Sequence, residues 1–263
     1  MKVVLFCGGL GTRLRDYSDQ LPKPLVEVGS RPILWHLMRY YAHYGHKEFI
    51  LCLGYGATAI KNYFVNYNEC ISNDFVLEQG GRRLELLARD IDDWRITFVD
   101  TGLHSNIGQR LLRVREHVGE DDVFLANYSD ALTDLNCSEY VDAFLQRREV
   151  ACFLSVPPPH TFHIVHADSD RYATRLEHVA DSPVRINGGY FVFRREIFDY
   201  IREGEELVVK PFERLIERRQ LLAVPYGGFW RNMDTFKDKI QFDELVARGE
   251  TPWQVWRSLP PQS

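Results

Sequence analysis

Residues 3–14 read Val3-Val4-Leu5-Phe6-Cys7-Gly8-Gly9-Leu10-Gly11-Thr12-Arg13-Leu14, and Pro22-Lys23-Pro24-Leu25 follows. A short apolar run that ends in a glycine-rich loop is typical of a buried strand followed by a phosphate-binding turn, because glycine lets backbone N–H groups approach an anion. Arg13 and Lys23 add two cations that can reach the same anion. The sequence therefore predicts a phosphate site at the end of the first strand.

The glycine loop differs from the two common phosphate-binding motifs. It lacks the Gly-Lys-Ser/Thr ending of a Walker loop, and Leu14 stands where a dinucleotide-binding fingerprint has its third glycine. The alternative interpretation is a structural tight turn with Arg13 and Lys23 in solvent. The Pro-Lys-Pro segment that follows favours the phosphate site, since the compound pattern is more specific than the loop alone.

The composition is that of a soluble globular protein. The chain has 263 residues, of which 45% are apolar and 26% charged, and its net charge is −5. The negative charge argues against nucleic acid as a general partner, and no stretch approaches the roughly 20 apolar residues of a membrane span. The five cysteines are scattered without metal-site spacing, and no secretory pattern is present. We expect a cytoplasmic protein with reduced thiols and no membrane partner.

Apolar strand-like runs alternate with helical patterns up to residue 156. Strands are predicted at residues 3–7, 49–53, 95–99, 123–127 and 150–156, with amphipathic helices between them. This alternation predicts an α/β fold with a mainly parallel sheet covered by helices on both faces. Ligands of such sheets bind beyond the carboxyl ends of the strands.

The character of the sequence changes after residue 156. Pro157-Pro158-Pro159 interrupts the chain, and shorter strand-like and helical pieces follow. We interpret residues 1–263 as a single domain, with a nucleotide-binding half at 1–156 and an acceptor-binding half and tail at 157–263. Trp253 and Trp256 in the tail are expected to dock either on the body of the protein or on another subunit.

Two aspartates are candidate metal ligands. Asp130 follows the predicted strand at 123–127, and Asp234 lies in an aromatic-flanked segment at 228–235. A metal ion that bridges phosphates usually takes one or two carboxylates from the protein. Each aspartate alone is more often a cap or turn residue.

The glycine loop with its Pro-Lys-Pro segment resembles the sugar-phosphate nucleotidyltransferase family, and the whole chain is most similar to its glucose-1-phosphate cytidylyltransferase branch. Asp100-Thr101-Gly102 and Asn127-Tyr128-Ser129-Asp130 belong to this resemblance. The other matching stretches are residues 32–36, 108–111, 187–189, 228–230, 233–235 and 252–253.

The resemblance implies a Rossmann-like nucleotidyltransferase fold and a site for each substrate. It assigns Mg²⁺ to Asp130 and Asp234, and it makes Lys23 the residue that bridges the reacting phosphates. Arg13, Lys23 and Asp130 are then the catalytic residues. The implied partners are CTP or another nucleoside triphosphate and a sugar 1-phosphate, with pyrophosphate as product and a homo-oligomer as the assembly. The expected nucleotide-binding residues are Gly8, Gly9, Gly11, Thr12, Arg13, Thr101, Gly102 and Arg110.

The acceptor half departs from the family pattern. His163 stands where the family has glycine, His178 where it has a phosphate-binding lysine, and Lys210 where it has a glutamate that contacts sugar hydroxyls. One interpretation is a changed acceptor, either another sugar phosphate or a phosphonate. The other keeps the acceptor and has Lys210 on a surface helix and His163 in a loop. The candidate acceptor-binding residues are His163, Glu177, His178, Asn187, Gly188 and Lys210.

A catalytically silent subunit that binds nucleotide sugars is a further alternative. Retention of Arg13, Lys23, Asp130 and Asp234 together argues against it.

Overall fold

The computed structural model describes residues 1–9, 21–159 and 162–257. The strands in these ranges are β1 (Lys2–Phe6), β2 (Glu27–Val28), β3 (Arg31–Pro32), β4 (Glu48–Leu53), β5 (Phe75–Glu78), β6 (Arg83–Leu86), β7 (Arg95–Asp100), β8 (Val123–Asn127), β9 (Ala131–Thr133), β10 (Ala151–Val156), β11 (His163–Ala167), β12 (Ala173–His178), β13 (Ile186–Arg194), β14 (Leu221–Pro225) and β15 (Trp230–Asn232). The helices are α1 (Ile33–His43), α2 (Ala57–Val65), α3 (Ile107–Arg113), α4 (Arg115–Val118), α5 (Cys137–Leu145), α6 (Lys210–Glu217) and α7 (Phe236–Ala247).

The central sheet has seven strands in the order β14-β10-β13-β8-β1-β4-β7. Every neighbouring pair is parallel except those of β13, which runs antiparallel to β8 and β10. The predicted α/β class with a mainly parallel sheet is confirmed. None of the helices in the described part of the chain is long and apolar enough to cross a membrane.

Strand β1 is buried on both faces because its side chains alternate between two apolar cores. Val3 and Leu5 belong to the core that includes α1, whereas Val4 and Phe6 belong to the core on the other face. Such continuous apolar strands are typical of parallel sheets covered by helices on both sides. The first strand of the sequence thus becomes the centre of the sheet.

The chain leaves the centre of the sheet in two directions. From β1 it proceeds to β4 and β7 on one side, whereas β8, β13, β10 and β14 extend the sheet on the other. The direction in which successive strands are added to the sheet therefore reverses between β1 and β8. A crevice opens there beyond the carboxyl ends of the two strands. Gly8-Gly9 follow β1 and Asp130 follows β8, so both lie at this crevice.

Residues on both sides of position 156 build the same sheet. Strands β13 and β14 come from the later part of the chain, yet β13 lies between β8 and β10. Trp253 is 1% exposed and packs against Phe242 and Phe229, so this tail residue docks on the body of the protein. The division into nucleotide and acceptor halves stays a prediction, but the two segments share one core.

Candidate active site

Lys23 lies between Asp130 and Asp234 at the crevice. Its Nζ donates to Asp130 Oδ2 at 2.6 Å and also to Asp234 Oδ1. The lysine side chain is only 16% exposed. Three residues that are far apart in sequence therefore form one charged cluster, which we call the catalytic cluster.

Two short strands bring the aspartates together. Strand β9 begins just after Asp130, and β15 ends just before the segment that carries Asp234. The two strands pair antiparallel with Ala131 opposite Asn232, and the backbone N–H of Met233 donates to Asp130 O at 2.9 Å. The register of this pairing places the two carboxylates side by side.

Local packing fixes the lysine. Lys23 begins a short 3-10 helix, Lys23–Leu25, in which Pro24 and Leu25 are buried. Pro22 packs against Gly56, where a Cβ would lie only 2.5 Å from the proline Cβ. Gly56 also has a φ of +70°, which glycine adopts without strain. Larger residues at position 56 would displace the segment that carries Lys23.

Ser129 holds Asp130 through a backbone conformation that is uncommon for a non-glycine residue. Its φ is +68°, and it is 1% exposed. Its Oγ donates to Phe6 O at 2.9 Å, and its N–H donates to Asn127 Oδ1 at 3.0 Å. These bonds join the ends of β8 and β1, and they compensate for strain of a kind that is common at functional sites.

The charges of the catalytic cluster favour a protonated lysine. Burial by itself lowers the pKa of Lys23, but the charges and hydrogen bonds of Asp130 and Asp234 together outweigh it. The pKa of Lys23 is therefore raised above its ordinary value. An ammonium group at this position can neutralise phosphate oxygens over the whole physiological pH range.

The side chain of Arg110 holds the backbone at the beginning of the glycine loop. The guanidinium is 3% exposed and donates to Gly8 O at 2.9 Å, Leu53 O at 3.0 Å and Thr101 Oγ1 at 2.7 Å. A Cβ on Gly8 would lie 2.1 Å from Arg110 Nη1, so only glycine fits there. These contacts join the carboxyl ends of β1, β4 and β7. A direct contact of Thr101 or Arg110 with nucleotide stays a prediction.

Gly102 follows β7 at the same edge of the sheet. Its φ is +87°, and its N–H donates to Asp100 Oδ1 at 2.9 Å. Gly11, Thr12 and Arg13, which were expected to bind the triphosphate, lie outside the described residues.

A cavity of about 340 Å³ opens at the catalytic cluster. Tyr128 and Ile107 form part of its wall, and the sequence analysis assigned neither of them a role. The position of Tyr128 in the sequence could have indicated a place in the site, since Tyr128 follows a predicted buried strand and precedes Asp130. The lining residues are Phe6, Cys7, Gly9, Lys23, Pro24, Ile107, Tyr128, Ser129, Asp130 and Asp234.

Two of the candidate acceptor residues, Asn187 and Gly188, belong to a stretch that packs behind Tyr128. Asn187 Nδ2 donates to the Tyr128 hydroxyl at 3.1 Å. Gly188 O accepts from Trp230 Nε1 at 2.8 Å, and a Cβ on Gly188 would lie 3.1 Å from Leu154 O. Gly189 leaves room for the Tyr128 ring, which a Cβ would approach to 2.5 Å. The Asn-Gly-Gly stretch thus holds one wall of the cavity.

Three other candidates lie on the β11–β12 hairpin. His163 pairs with His178 across the two strands, and their rings meet edge to face with centroids 5.4 Å apart. Glu177 Oε2 lies 3.3 Å from His166 Nε2, and Glu177 forms an ion pair with Arg175 at 3.2 Å. None of His163, Glu177 and His178 is among the residues that line the cavity.

Lys210 is the first residue of α6 and points to solvent. Its side chain is 61% exposed and forms an ion pair with Glu213 at 2.7 Å. It does not line the cavity. Lys210 therefore lies on a surface helix, as the second interpretation expected, whereas the expected loop position of His163 is wrong because His163 begins strand β11.

Comparison with known proteins identifies the family. The sequence profile of the family called nucleotidyl transferase matches residues 2–246. The chain belongs to this family. Glucose-1-phosphate cytidylyltransferase from Salmonella typhi is 36% identical over 257 residues, which cover 97% of this chain and 100% of that protein. The enzyme of the same name from Salmonella typhimurium gives the same values.

A solved structure agrees with the fold of this nucleotidyltransferase. HddC from Yersinia pseudotuberculosis has a TM-score of 0.62 and 18% sequence identity, covering 93% of this chain and 99% of that chain. At this level of identity the likeness concerns the fold alone.

The carboxylates of the nucleotidyltransferase fit a divalent metal that is shared with phosphates. Asp130 and Asp234 already hold one cation, the Lys23 ammonium, between them. Within the described ranges no group of three or more histidine, cysteine or acidic side chains forms a complete metal site. Mg²⁺ commonly takes only one or two protein carboxylates and completes its shell with phosphates and water. The carboxylates of Asp130 and Asp234 suit that mode of binding.

Proposed function

We propose that this nucleotidyltransferase joins CTP to a sugar 1-phosphate and releases pyrophosphate. The observation that carries the proposal is the catalytic cluster at the crevice between β1 and β8, where Lys23 Nζ lies 2.6 Å from Asp130 Oδ2. The near full-length similarity to glucose-1-phosphate cytidylyltransferases supports CTP and a sugar phosphate as substrates.

The reaction needs positioning and charge neutralisation more than proton transfer. A phosphate oxygen of the acceptor attacks the α-phosphorus of CTP and forms a new P–O bond. The bond from that phosphorus to the bridging oxygen of the β-phosphate breaks, and pyrophosphate leaves with the bonding electrons. No general base is required, because the attacking phosphate is already anionic. Such reactions gain most of their rate from orientation and from fixed charges.

Each charged residue has a proposed role in this step. Lys23 neutralises the negative charge that accumulates between the reacting phosphates. Asp130 and Asp234 hold Mg²⁺, which when bound supplies positive charge to the triphosphate. The loop with Gly8, Gly9, Gly11, Thr12 and Arg13 binds the triphosphate, together with the edge formed by Thr101 and Gly102. Arg110 contributes by holding Gly8 in place.

The acceptor is proposed to bind on the side of the cavity where Tyr128 lies, supported by Asn187 and Gly188. A second candidate acceptor, another sugar phosphate or a phosphonate, is favoured by one observation. His163 and His178 replace family residues, and the structure pairs them on one hairpin. Assembly into a homo-oligomer and a cytoplasmic location are further proposals, which are tested by light scattering and by cell fractionation.

Pyrophosphate release distinguishes these proposals. The purified protein is incubated with Mg²⁺, one nucleoside triphosphate at a time, and a panel of sugar 1-phosphates and phosphonates. We expect release with CTP and at least one sugar 1-phosphate, and much less with the other triphosphates. Release with a phosphonate alone favours the second acceptor. Nucleotide binding without release from any pair of substrates supports a silent subunit and overturns the proposal.

A further inference from the structure

Asn232 lies next to one of the two carboxylates of the catalytic cluster. It is the last residue of β15, and its Nδ2 donates to Asp234 Oδ2 at 2.7 Å. The other oxygen, Oδ1, accepts from Lys23. The direction of the first bond is fixed by chemistry, because a carboxylate only accepts and the donor must be the amide nitrogen.

The backbone of Asp234 is held by a second residue. Asp238 Oδ2 accepts from the N–H of Asp234 at 3.0 Å and from the N–H of Thr235 at 2.8 Å. Thr235 and Asp238 form the capping box that begins α7. The main chain of Asp234 is therefore fixed, but an aspartate carboxyl still rotates in a broad range about its last torsion angle. The amide of Asn232 restricts that rotation.

We propose that Asn232 is a positioning residue that fixes the orientation of the Asp234 carboxylate toward the metal. By donating to Oδ2, it directs Oδ1 toward Lys23 and Asp130. It does so as a neutral group, so it adds no charge to the catalytic cluster. This inference rests on the proposed function, since it assigns the metal to Asp130 and Asp234.

Partners that orient metal ligands typically change metal affinity by about 10–100-fold when they are removed. Asn232→Leu removes the donor and keeps the number and branching of the side-chain heavy atoms. We expect the Mg²⁺ concentration that gives half-maximal pyrophosphate release to rise about tenfold or more. The turnover at saturating Mg²⁺ should stay within roughly threefold, because Asp234 itself remains. A variant that had lost its fold would lose turnover at every Mg²⁺ concentration. Weaker Mg²⁺ dependence with preserved turnover at saturation therefore identifies the positioning role.

Gln241→Leu is the matched control. Gln241 Oε1 accepts from Arg231 Nη1 at 2.9 Å, which joins β15 to α7 away from Asp234. The substitution also replaces an amide by leucine and also removes one contact between these elements. It should leave the Mg²⁺ dependence unchanged.

Binding of Mn²⁺ provides a readout that does not need turnover. Full-length wild type, Asn232→Leu and Gln241→Leu are titrated with Mn²⁺ in the presence of CTP, and free Mn²⁺ is measured by electron paramagnetic resonance. We expect the dissociation constant to rise about tenfold only in Asn232→Leu. Equal constants for Asn232→Leu and wild type, or an equal rise in Gln241→Leu, overturn the inference. Wild type that binds Mn²⁺ without releasing pyrophosphate overturns the proposed function instead, and the ratio of constants still tests Asn232.

Discussion

The catalytic cluster and the β11–β12 hairpin differ in how firmly the rest of the molecule holds them. Around Asp130 the strands β8 and β9 are buried, β8 is paired on both sides within the central sheet, and β9 is paired with β15. The hairpin forms a separate two-stranded sheet, and its residues are exposed or half-buried. Isolated two-stranded hairpins are only marginally stable.

The residues that match the family lie in the firmly held region, and several that depart from it lie on the hairpin. By the resemblance described above, Lys23, Asp130 and Asp234 keep the family pattern, whereas His163 and His178 depart from it. A substitution on the hairpin disturbs few other contacts. We therefore expect that it can change substrate specificity without disturbing the residues proposed for catalysis. The two regions should therefore respond differently to substitution.

The largest effect is expected for the carboxylates. Asp130→Asn and Asp234→Asn each keep the size of the side chain but remove a negative charge from the proposed metal site. We expect turnover to be abolished, with a fall of at least about a hundredfold to a thousandfold, as when one preorganised electrostatic group is lost. Pyrophosphate release at saturating Mg²⁺ measures this, and circular dichroism confirms the fold. Near wild-type turnover in either variant would show that the metal assignment is wrong.

Lys23→Ala should have the next largest effect. The ammonium acts on charge that develops in the transition state, so turnover should fall by the equivalent of about 2.7–4 kcal/mol. Single-turnover kinetics with CTP and the acceptor measure the chemical step. A change confined to the Michaelis constant for CTP would mean that Lys23 binds the ground state and does not assist the reaction.

Gly8→Ala tests how tightly the firmly held region is packed. The new Cβ would overlap the guanidinium of Arg110, and overpacking of a core typically costs about 1–3 kcal/mol. We expect the free energy of unfolding in urea to fall by this amount. Gly9→Ala is the control for stability, since no other described atom lies within 4 Å of its added Cβ. Equal stability of the two variants would contradict the close packing of the Arg110 guanidinium against Gly8.

The smallest effect is expected on the hairpin. His178→Lys restores the family's phosphate-binding lysine, and one added charged hydrogen bond of about 1.5 kcal/mol corresponds to roughly tenfold in kcat/KM. We expect wild type to use glucose 1-phosphate poorly, and the variant to use it about tenfold better with unchanged stability. Lys210→Ala on the exposed end of α6 should change neither property. A wild-type kcat/KM for glucose 1-phosphate of about 10⁴ M⁻¹s⁻¹ or more removes the case for a changed acceptor.

Much of the fold was predictable because the central strands are apolar and the helices between them are amphipathic. The runs at residues 49–53 and 123–127 became β4 and β8 nearly unchanged. The helix predicted between the strands at 95–99 and 123–127 is two helices, α3 and α4, since Val114 interrupts it. Helix α7 was missed, as was the β5–β6 hairpin, whose side chains are mostly exposed and carry little periodic pattern.

The candidate site was only partly predictable. The resemblance pointed to Lys23, Asp130 and Asp234, but the residues alone gave no reason to pair the two aspartates. Their proximity depends on the register of β9 with β15, and short strands carry too little pattern to reveal a register. Asn232 was missed for the same reason. Arg110 was expected near the phosphates, and a sequence cannot show that its donors already bind backbone carbonyls.

The hydrogen bond from Met233 N–H to Asp130 O has a consequence for the order in which the protein becomes active. Lys23, Asp130 and Asp234 come from early, middle and late parts of the chain, and β15 must dock on β9 before the carboxylates meet. A ribosome-bound chain that ends before β15 can form β1, β4, β7 and β8, but it lacks one half of the carboxylate pair. The carboxylate pair therefore cannot form until β15 has been synthesised and has docked on β9.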